Sequence, residues 1–270
     1  MVRRIEEPTV RISHLDDFGL PTDPEKNVAG VALLAMIRKA GLDFGFEIEI
    51  TKGLKPGSGI GSSAASSCGA VVAANRILND RFSKHELVEF AMEGERLASG
   101  ARHADNVAPC IFGGFTLVRS IEPLDIVELN FPELFSTVIH PQIEIKTSAS
   151  RGILPDQVPL KDAVRQWSNL GALVAALARG DYELLSRSME DVIIEPARKY
   201  LIPKFDEIKA ACLESGALGG GISGSGPSLF MLSENEPAAS KVADAMQSIY
   251  ERTDTEFHIY VSDINPQGVA

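Results

Sequence analysis

The chain has 270 residues, of which 44% are hydrophobic and 23% are charged, as is usual for a globular protein of one or two domains. Its 37 acidic and 26 basic residues give a net charge of −11, which argues against nucleic acid or an anionic membrane as a partner. The sequence contains no apolar run long enough to span a membrane and no signal-peptide core, and its three scattered cysteines predict neither a zinc site nor a disulfide framework. We therefore expect a cytoplasmic protein.

The first half of the chain predicts helices between short strands. Alternating apolar and polar residues predict single strands at 10–15 and 44–51. A hairpin is predicted from 113–120 and 125–129. Three helices are expected, at 27–40, 62–78 and 83–98. The last of these helices follows a capping box formed by Ser83 and Glu86.

In the second half, strands and helices are followed by a second cluster of glycines and serines at 219–227. Strands are predicted at 137–140, 228–232 and 257–262, and helices at 162–189 with a break at Gly180, at 204–215 and at 238–252. Strand, helix and strand at the end of a helical region indicate an α+β layer rather than a doubly wound parallel sheet.

A loop of glycines and serines directly before the helix at 62–78 is the most informative motif. It consists of Pro56, Gly57, Ser58, Gly59, Ile60, Gly61, Ser62 and Ser63. Glycines allow backbone N–H groups to approach an anion, and the helix N-terminus adds a positive dipole end, so the motif predicts a phosphate site. The loop matches neither the Walker A nor the dinucleotide-binding pattern, and a purely structural loop is the alternative.

Three further clusters stand in a fixed order after this loop. They are Glu93-Gly94-Glu95 with His-Ala-Asp-Asn-Val-Ala-Pro at 103–109, Thr147 with Arg-Gly-Ile-Leu-Pro at 151–155, and the glycine-rich segment 221–230. Together with the loop they closely resemble the homoserine kinase family of the GHMP kinase superfamily, from residue 27 to the C-terminus. The resemblance implies a two-domain α+β fold, with an N-terminal α/β domain over 1–132 that carries the phosphate loop and a ferredoxin-like α+β domain over 133–270.

The resemblance also implies a nucleotide site for ATP with Mg²⁺. Residues 56–63 would contact the nucleotide, and Ser63 and Glu95 would bind the metal, which commonly takes one or two protein oxygens besides phosphate and water. Lys52 could face a phosphate or be a solvated strand-end lysine. Asn27 matches a residue that contacts adenine, with a helix N-cap as the alternative. For Glu95 the alternative is an exposed helix carboxylate.

The acceptor site that the resemblance implies is built for an amino acid. His103, Asp105 and Asn106 would bind its polar groups, although His103 could be a structural histidine. Arg151 would bind the α-carboxylate through its planar fork, with Thr147 beside it. Arg198 would approach the substrate or the transferring phosphoryl group as a catalytic residue, or else be an exposed helical arginine. The segment 221–228 is expected to pack against the loop as architectural support.

The implied reaction is phosphorylation of L-homoserine by ATP with Mg²⁺, in threonine biosynthesis. The alternatives are another GHMP-type small-molecule kinase and a nucleotide-binding form without catalysis. The oligomeric state is left open, with a homodimer as one option. The chain is expected to lack about 30–40 residues with which family members begin, and the loss of a central strand would leave an unpaired sheet edge. Residues 1–4 are themselves strand-like. A misassigned start or a truncation would explain this difference, and the short form is expected to be poorly soluble or inactive.

Overall fold

A computed structural model describes residues 1–143 and 152–269, which form two compact units. The first unit comprises Met1–Pro56, Gly61–Glu128 and Asn265–Ala270, and the second comprises Gly57–Ile60 and Leu129–Ile264. Neither unit is one continuous stretch of chain, because four loop residues belong to the second unit and the C-terminal residues return to the first. No helix in the described ranges has both the length and the apolarity needed to cross a bilayer.

The first unit contains a three-stranded sheet with mixed strand directions. Its strands are β1 (Val2–Ile5), β2 (Val10–His14) and β3 (Gly45–Ile50), in the order β1-β3-β2. β1 is antiparallel to β3, with Val2 opposite Ile48, and β2 is parallel to β3. The predicted strands at 10–15 and 44–51 are thus confirmed, and the strand-like residues 1–4 fall largely in an edge strand.

Four helices and a hairpin complete the first unit. They are α1 (Val28–Ala40), α2 (Ser62–Ile77), α3 (Lys84–Ser99), the short α4 (Val107–Phe112), and the hairpin β4 (Phe115–Ile121) with β5 (Leu124–Leu129). The three long helices and the hairpin were predicted, whereas α4 was not. The capping box is also confirmed, since Ser83 accepts a hydrogen bond from the backbone of Glu86 and the Glu86 carboxylate accepts one from Ser83.

Gly94 allows α3 to pack closely against its neighbours. A Cβ atom at this position would lie 2.3 Å from Ser67 Oγ of α2 and 2.6 Å from the carbonyl oxygen of Val28 in α1. Real Cβ atoms do not approach other atoms so closely, so the packing of three helices depends on the absence of a side chain here. The next residue along α3 is Glu95.

The second unit is a four-stranded antiparallel sheet with helices. Its sheet order is β7 (Gly219–Ile222), β8 (Leu229–Ser233), β6 (Phe135–Pro141) and β9 (Phe257–Asp263). The helices are α5 (Leu160–Arg179), α6 (Tyr182–Ser188), α7 (Ile194–Arg198), α8 (Phe205–Glu214) and α9 (Glu236–Tyr250), with a 3₁₀ turn at Lys199–Leu201. The predicted α+β class is confirmed.

One strand of this sheet lies where the sequence suggested a glycine-rich turn. Gly219–Ile222 forms β7, and only the residues after it turn back toward β8. A Cβ at Gly220 would lie 2.0 Å from the carbonyl oxygen of Phe230 in β8. Glycine therefore serves close approach of two backbones here, although its strand propensity is low.

Replacing Gly94 by alanine is expected to lower the free energy of unfolding by about 1–3 kcal/mol, because the new methyl group overpacks a contact among three helices. Chemical denaturation of the two proteins measures this difference. Gly69→Ala in α2 is the matched control, since a Cβ there meets nothing within 4 Å. That variant should be neutral or more stable by up to about 1 kcal/mol, as alanine favours a helix. Equal destabilisation by both substitutions would contradict the packing argument.

Candidate active site

The loop Pro56–Ser63 combines two features of an anion site. Gly57, Gly59 and Gly61 all have positive φ angles, of 76°, 79° and 75°. Left-handed residues at alternate positions are typical of backbone segments whose successive N–H groups bind an anion. Gly61 is also the N-cap of α2, and among the described residues no side chain caps that end of the helix. The first N–H groups of α2 are therefore available to an anion.

Within the second unit, the segment after β7 holds the loop residues Gly57–Ile60. Ser228 Oγ donates to the carbonyl oxygen of Ser58 at 2.6 Å, and Ser223 Oγ donates to that of Gly59 at 2.9 Å. Because the C=O and N–H groups of a trans peptide point in opposite directions, these bonds direct the N–H groups of Gly59 and Ile60 to the other side. The expected support of the loop by 221–228 is confirmed.

Gly59 is required at its position for two reasons. Its φ angle is left-handed, and a Cβ would also lie 2.6 Å from the carbonyl oxygen of Gly226 and 2.8 Å from that of Ser223. At Gly57 and Gly61 a Cβ would meet nothing within 4 Å, so only the backbone conformation favours glycine there.

Glu95 is a buried carboxylate in α3, with only 5% of the residue exposed. Burial raises the pKa of its carboxyl, whereas a hydrogen bond from Ser63 and the nearby Lys52 and His103 oppose that shift. Its Oε1 atom has no hydrogen-bond partner among the described residues. The alternative of an exposed helix carboxylate is thus wrong, and the first unit brings Glu95 close to Ser63, Lys52 and His103.

The pair of Ser63 and Glu95 has the chemistry of a magnesium site. Mg²⁺ prefers oxygen ligands and keeps several waters or phosphate oxygens, so one carboxylate and one hydroxyl suffice from the protein. A buried carboxylate oxygen without a partner is the kind of atom that such an ion would satisfy. No cluster of three or more His, Cys, Asp or Glu residues within 1–143 and 152–269 forms an all-protein metal cage.

Lys52 follows β3 and binds the first turn of α2. Its Nζ atom donates to the carbonyl oxygen of Ser62 and to Ser66 Oγ, both at 2.9 Å. Burial lowers the pKa of the lysine, and the charges of Asp16 and Glu95 oppose that shift. The alternative of a solvated strand-end lysine is wrong. Two of the three ammonium donors serve the fold, and the charge lies at the start of α2.

Asn27 is the N-cap of α1, as the alternative interpretation proposed. Its Oδ1 accepts hydrogen bonds from the N–H groups of Ala29 and Gly30, at 3.0 and 3.5 Å. Its Nδ2 lies 2.8 Å from the carbonyl oxygen of Pro21 and 3.2 Å from His14 Nε2. The protein therefore uses both ends of the amide, and the contact with adenine stays a prediction.

The predicted acceptor residues lie just before α4 in the first unit. Asp105 and Asn106 are exposed, and Asn106 occupies the N-cap position without a side-chain hydrogen bond to the helix. His103 is half-buried, and Glu95 lies within electrostatic range of both His103 and Asp105. The structure thus places His103 and Asp105 near Glu95 in this unit.

The remaining predicted residues are in the second unit or outside the description. Arg198 ends α7, and its Nη1 donates to the carbonyl oxygen of Gly224 at 3.1 Å, next to the segment that holds the loop. Thr147 and Arg151 lie outside the described residues. Their assignment to the carboxylate of the acceptor stays a prediction.

Sequence reasoning missed the side chains that hold the loop and the start of α2. Ser223 and Ser228 were recognised only as part of a glycine-rich segment, and Ser66 was not singled out. The spacing of Ser62 and Ser66, four residues apart on one helix face, was a usable signal for Ser66. No local signal pairs Ser58 with Ser228, since 170 positions separate them.

Two family profiles match this chain. The profile described as GHMP kinases N terminal domain matches residues 27–114, and the profile described as GHMP kinases C terminal matches residues 173–252. Together they cover more than half of the chain. The first match contains the loop, Glu95 and the residues before α4.

Curated and solved proteins resemble the chain over nearly its whole length. A homoserine kinase of Chloroherpeton thalassium is 45% identical over 261 residues, which cover 94% of this chain and 82% of that protein. The crystal structure of homoserine kinase from Cytophaga hutchinsonii has 48% identity and a TM-score of 0.95, covering 99% of this chain and 86% of that one. L. major mevalonate kinase, at 17% identity and a TM-score of 0.72 over 99% of this chain and 86% of that one, shares the fold.

Replacing Ser228 by alanine is expected to cost about 1 kcal/mol in unfolding free energy, because the carbonyl oxygen of Ser58 loses its hydrogen bond. Ser233→Ala is the matched control. Both serines are fully buried in the second unit, but Ser233 Oγ has no partner among the described residues. Denaturation curves should show a loss for the first variant and none for the second, and the reverse order would refute the role of Ser228.

Replacing Glu95 by glutamine is expected to raise the melting temperature of the ligand-free protein at neutral pH. The raised pKa of Glu95 means that its contribution to stability is present at acid pH and is lost as the pH rises through that pKa. The increase in melting temperature caused by the substitution should therefore become larger as the pH rises from about 4, near the ordinary glutamate pKa of about 4.3, to about 7. Thermal melts across this range test it.

Glu93→Gln is the control for that series. Glu93 lies two residues earlier in α3, where it pairs with Arg96 at 2.9 Å and with Arg102 at 3.3 Å. Its removal takes away favourable pairs, so this variant should not gain stability with rising pH. A gain of similar size in both variants would show that a general charge effect, not the burial of Glu95, is responsible.

Proposed function

The chain belongs to the homoserine kinases of the GHMP kinase family, and from this membership we propose that it transfers the γ-phosphoryl group of ATP to the hydroxyl of L-homoserine. The product is O-phospho-L-homoserine, an intermediate of threonine biosynthesis. The observation that carries the proposal is Glu95, a buried carboxylate whose Oε1 atom has no partner among the described residues and whose pKa is raised by burial and lowered in part by Ser63 at the end of the glycine loop.

The nucleotide half of the proposed site uses the loop and the start of α2. The N–H groups of Gly57–Ser63 would bind the phosphates, which the positive φ angles and the open helix end support. Lys52 would add a positive charge at the same helix end. Ser63 and Glu95 would bind Mg²⁺, which when bound neutralises charge on the phosphates.

The acceptor half of the proposed site consists of the residues just before α4 together with Thr147, Arg151 and Arg198. His103, Asp105 and Asn106 would bind the polar groups of L-homoserine, an assignment that the exposure of the latter two supports. Thr147 and Arg151 would bind its carboxylate. Arg198 would place its charge near the transferring group, and its bond to Gly224 supports a fixed position for the guanidinium in the second unit.

In the proposed reaction the acceptor oxygen forms a bond to the γ-phosphorus while the bond from that phosphorus to the β-phosphate oxygen breaks. The hydroxyl proton passes toward the phosphate, and we assign no side chain as a general base. Phosphoryl transfer depends mainly on positioning and on stabilisation of charge. The residues of this chain would supply N–H donors, a lysine and arginines for that purpose.

A cytoplasmic location and assembly into a homodimer remain predictions. The free state of all three cysteines is consistent with a reducing compartment. For the oligomeric state, gel filtration of the purified chain is the direct measurement.

A coupled ATP-consumption assay with L-homoserine, L-serine, mevalonate and shikimate tests the substrate. We expect turnover with L-homoserine alone, because its amino and carboxylate groups match the proposed acceptor residues. Comparable turnover with mevalonate would instead indicate another GHMP-type kinase. Stabilisation by ATP without turnover of any acceptor would indicate a nucleotide-binding form without catalysis.

In the same assay, Glu95→Gln is expected to lower kcat/KM by about 100-fold or more, because a preorganised charge at the phosphates is lost. Glu93→Gln should change kcat/KM by no more than about twofold, since a partly exposed ion pair contributes little. Equal effects of the two variants would argue against a metal role for Glu95.

A further inference from the structure

Two of the three cysteines lie on neighbouring helices and pack into the core of the first unit. Cys68 belongs to α2 and Cys110 to α4, and both are free thiols packed into the same hydrophobic cluster. Cys68 Sγ lies 3.7 Å from the carbonyl oxygen of Val107. Val107 and Cys110 are three residues apart and thus on one face of α4, the face that meets Cys68.

Each of the two thiols also shifts the pKa of the other, which indicates that they are near neighbours. A disulfide joins cysteines whose Cα atoms lie about 4–7 Å apart, so cysteines on two contacting helices are candidates for one. The helix that carries Cys110 is six residues long, and α2, which carries Cys68, has sixteen residues.

We propose that Cys68 and Cys110 form a dithiol modification site, which a small disulfide such as oxidised glutathione converts into an intramolecular disulfide between α2 and α4. Nothing in the phosphoryl-transfer reaction uses these thiols, so the proposal does not rest on the proposed function.

The two cysteines have different roles in this exchange. Cys110 is partly exposed and can be reached from outside, whereas Cys68 is fully buried. The interaction with Cys68 lowers the pKa of Cys110, and the same interaction together with burial raises the pKa of Cys68. Cys110 is therefore the first thiol to react and Cys68 the second.

The exchange proceeds in two balanced steps. The Cys110 thiolate attacks one sulfur of oxidised glutathione, which breaks the glutathione disulfide and releases one glutathione thiolate. The sulfur of Cys68 then attacks the Cys110 sulfur of the mixed disulfide and releases the second glutathione. The two cysteine protons pass to the two glutathione thiolates, so the protein is oxidised by two electrons and oxidised glutathione is reduced by two.

Cys212 provides an internal control. It is fully buried in the core of the second unit, and burial raises its pKa to about 12. As the third cysteine of the chain, it is expected to be inert toward a small disulfide under native conditions.

The test is intact-mass analysis of the reduced, folded full chain after incubation with oxidised glutathione. We expect a mass lower by two hydrogen atoms, a cross-linked Cys68–Cys110 peptide in a digest made without reductant, and reversal by dithiothreitol. No reaction, a lasting glutathione adduct or a cross-link that involves Cys212 would each overturn the proposal. This result on the wild-type protein is decisive by itself.

Three variants assign the order of attack. Cys68→Ala should stop the exchange at a glutathione adduct on Cys110, and Cys110→Ala should lose the reaction. Cys212→Ser should form the cross-link as the wild type does. Alanine is close to a buried thiol in size and polarity, and circular dichroism before the reaction confirms that each variant is folded. An adduct on Cys68 in Cys110→Ala would contradict the assigned order.

Discussion

Burial of one negative charge is the constraint on which the first unit depends. Removing the Glu95 carboxylate from water is costly unless neighbouring groups compensate. Ser63 supplies a hydrogen bond, and the charge of Lys52 lies within electrostatic range. The absence of a side chain at Gly94 allows α3 to approach α2 closely enough for these contacts. The compensation is incomplete, because Oε1 lacks a partner among the described residues, and the proposed Mg²⁺ would supply one.

In the loop, the carbonyl groups and the N–H groups of the backbone have different roles. The carbonyl oxygens of Ser58 and Gly59 accept hydrogen bonds from Ser228 and Ser223, so they are used within the protein. The N–H groups of the same peptide units point the other way, where we propose that a phosphate binds. The start of α2 shows the same pattern. Lys52 donates to the carbonyl oxygen of Ser62, and no side chain among the described residues caps the first N–H groups of the helix.

Local signals were enough for most helices and strands and for the loop. The Asn27 cap and the Ser83 capping box depend on neighbouring residues, so the sequence showed both. The strand β7 was missed because its three glycines resemble a turn, and only the nearby backbone of β8 explains them. The metal-binding role predicted for Glu95 came from resemblance, and its burial was not predicted from the sequence. The bond between Ser228 and Ser58 depends on tertiary structure and has no counterpart in local sequence.

Because each unit contains segments from different parts of the chain, cutting the chain at a single point does not produce two complete units. A gene fragment that begins after Glu128 would encode the second unit without Gly57–Ile60, and Ser223 and Ser228 would lose their acceptors. A fragment that ends there would lose the C-terminal residues, whose Val269 N–H binds the Cys110 carbonyl oxygen. Recombination at this point would therefore exchange incomplete parts.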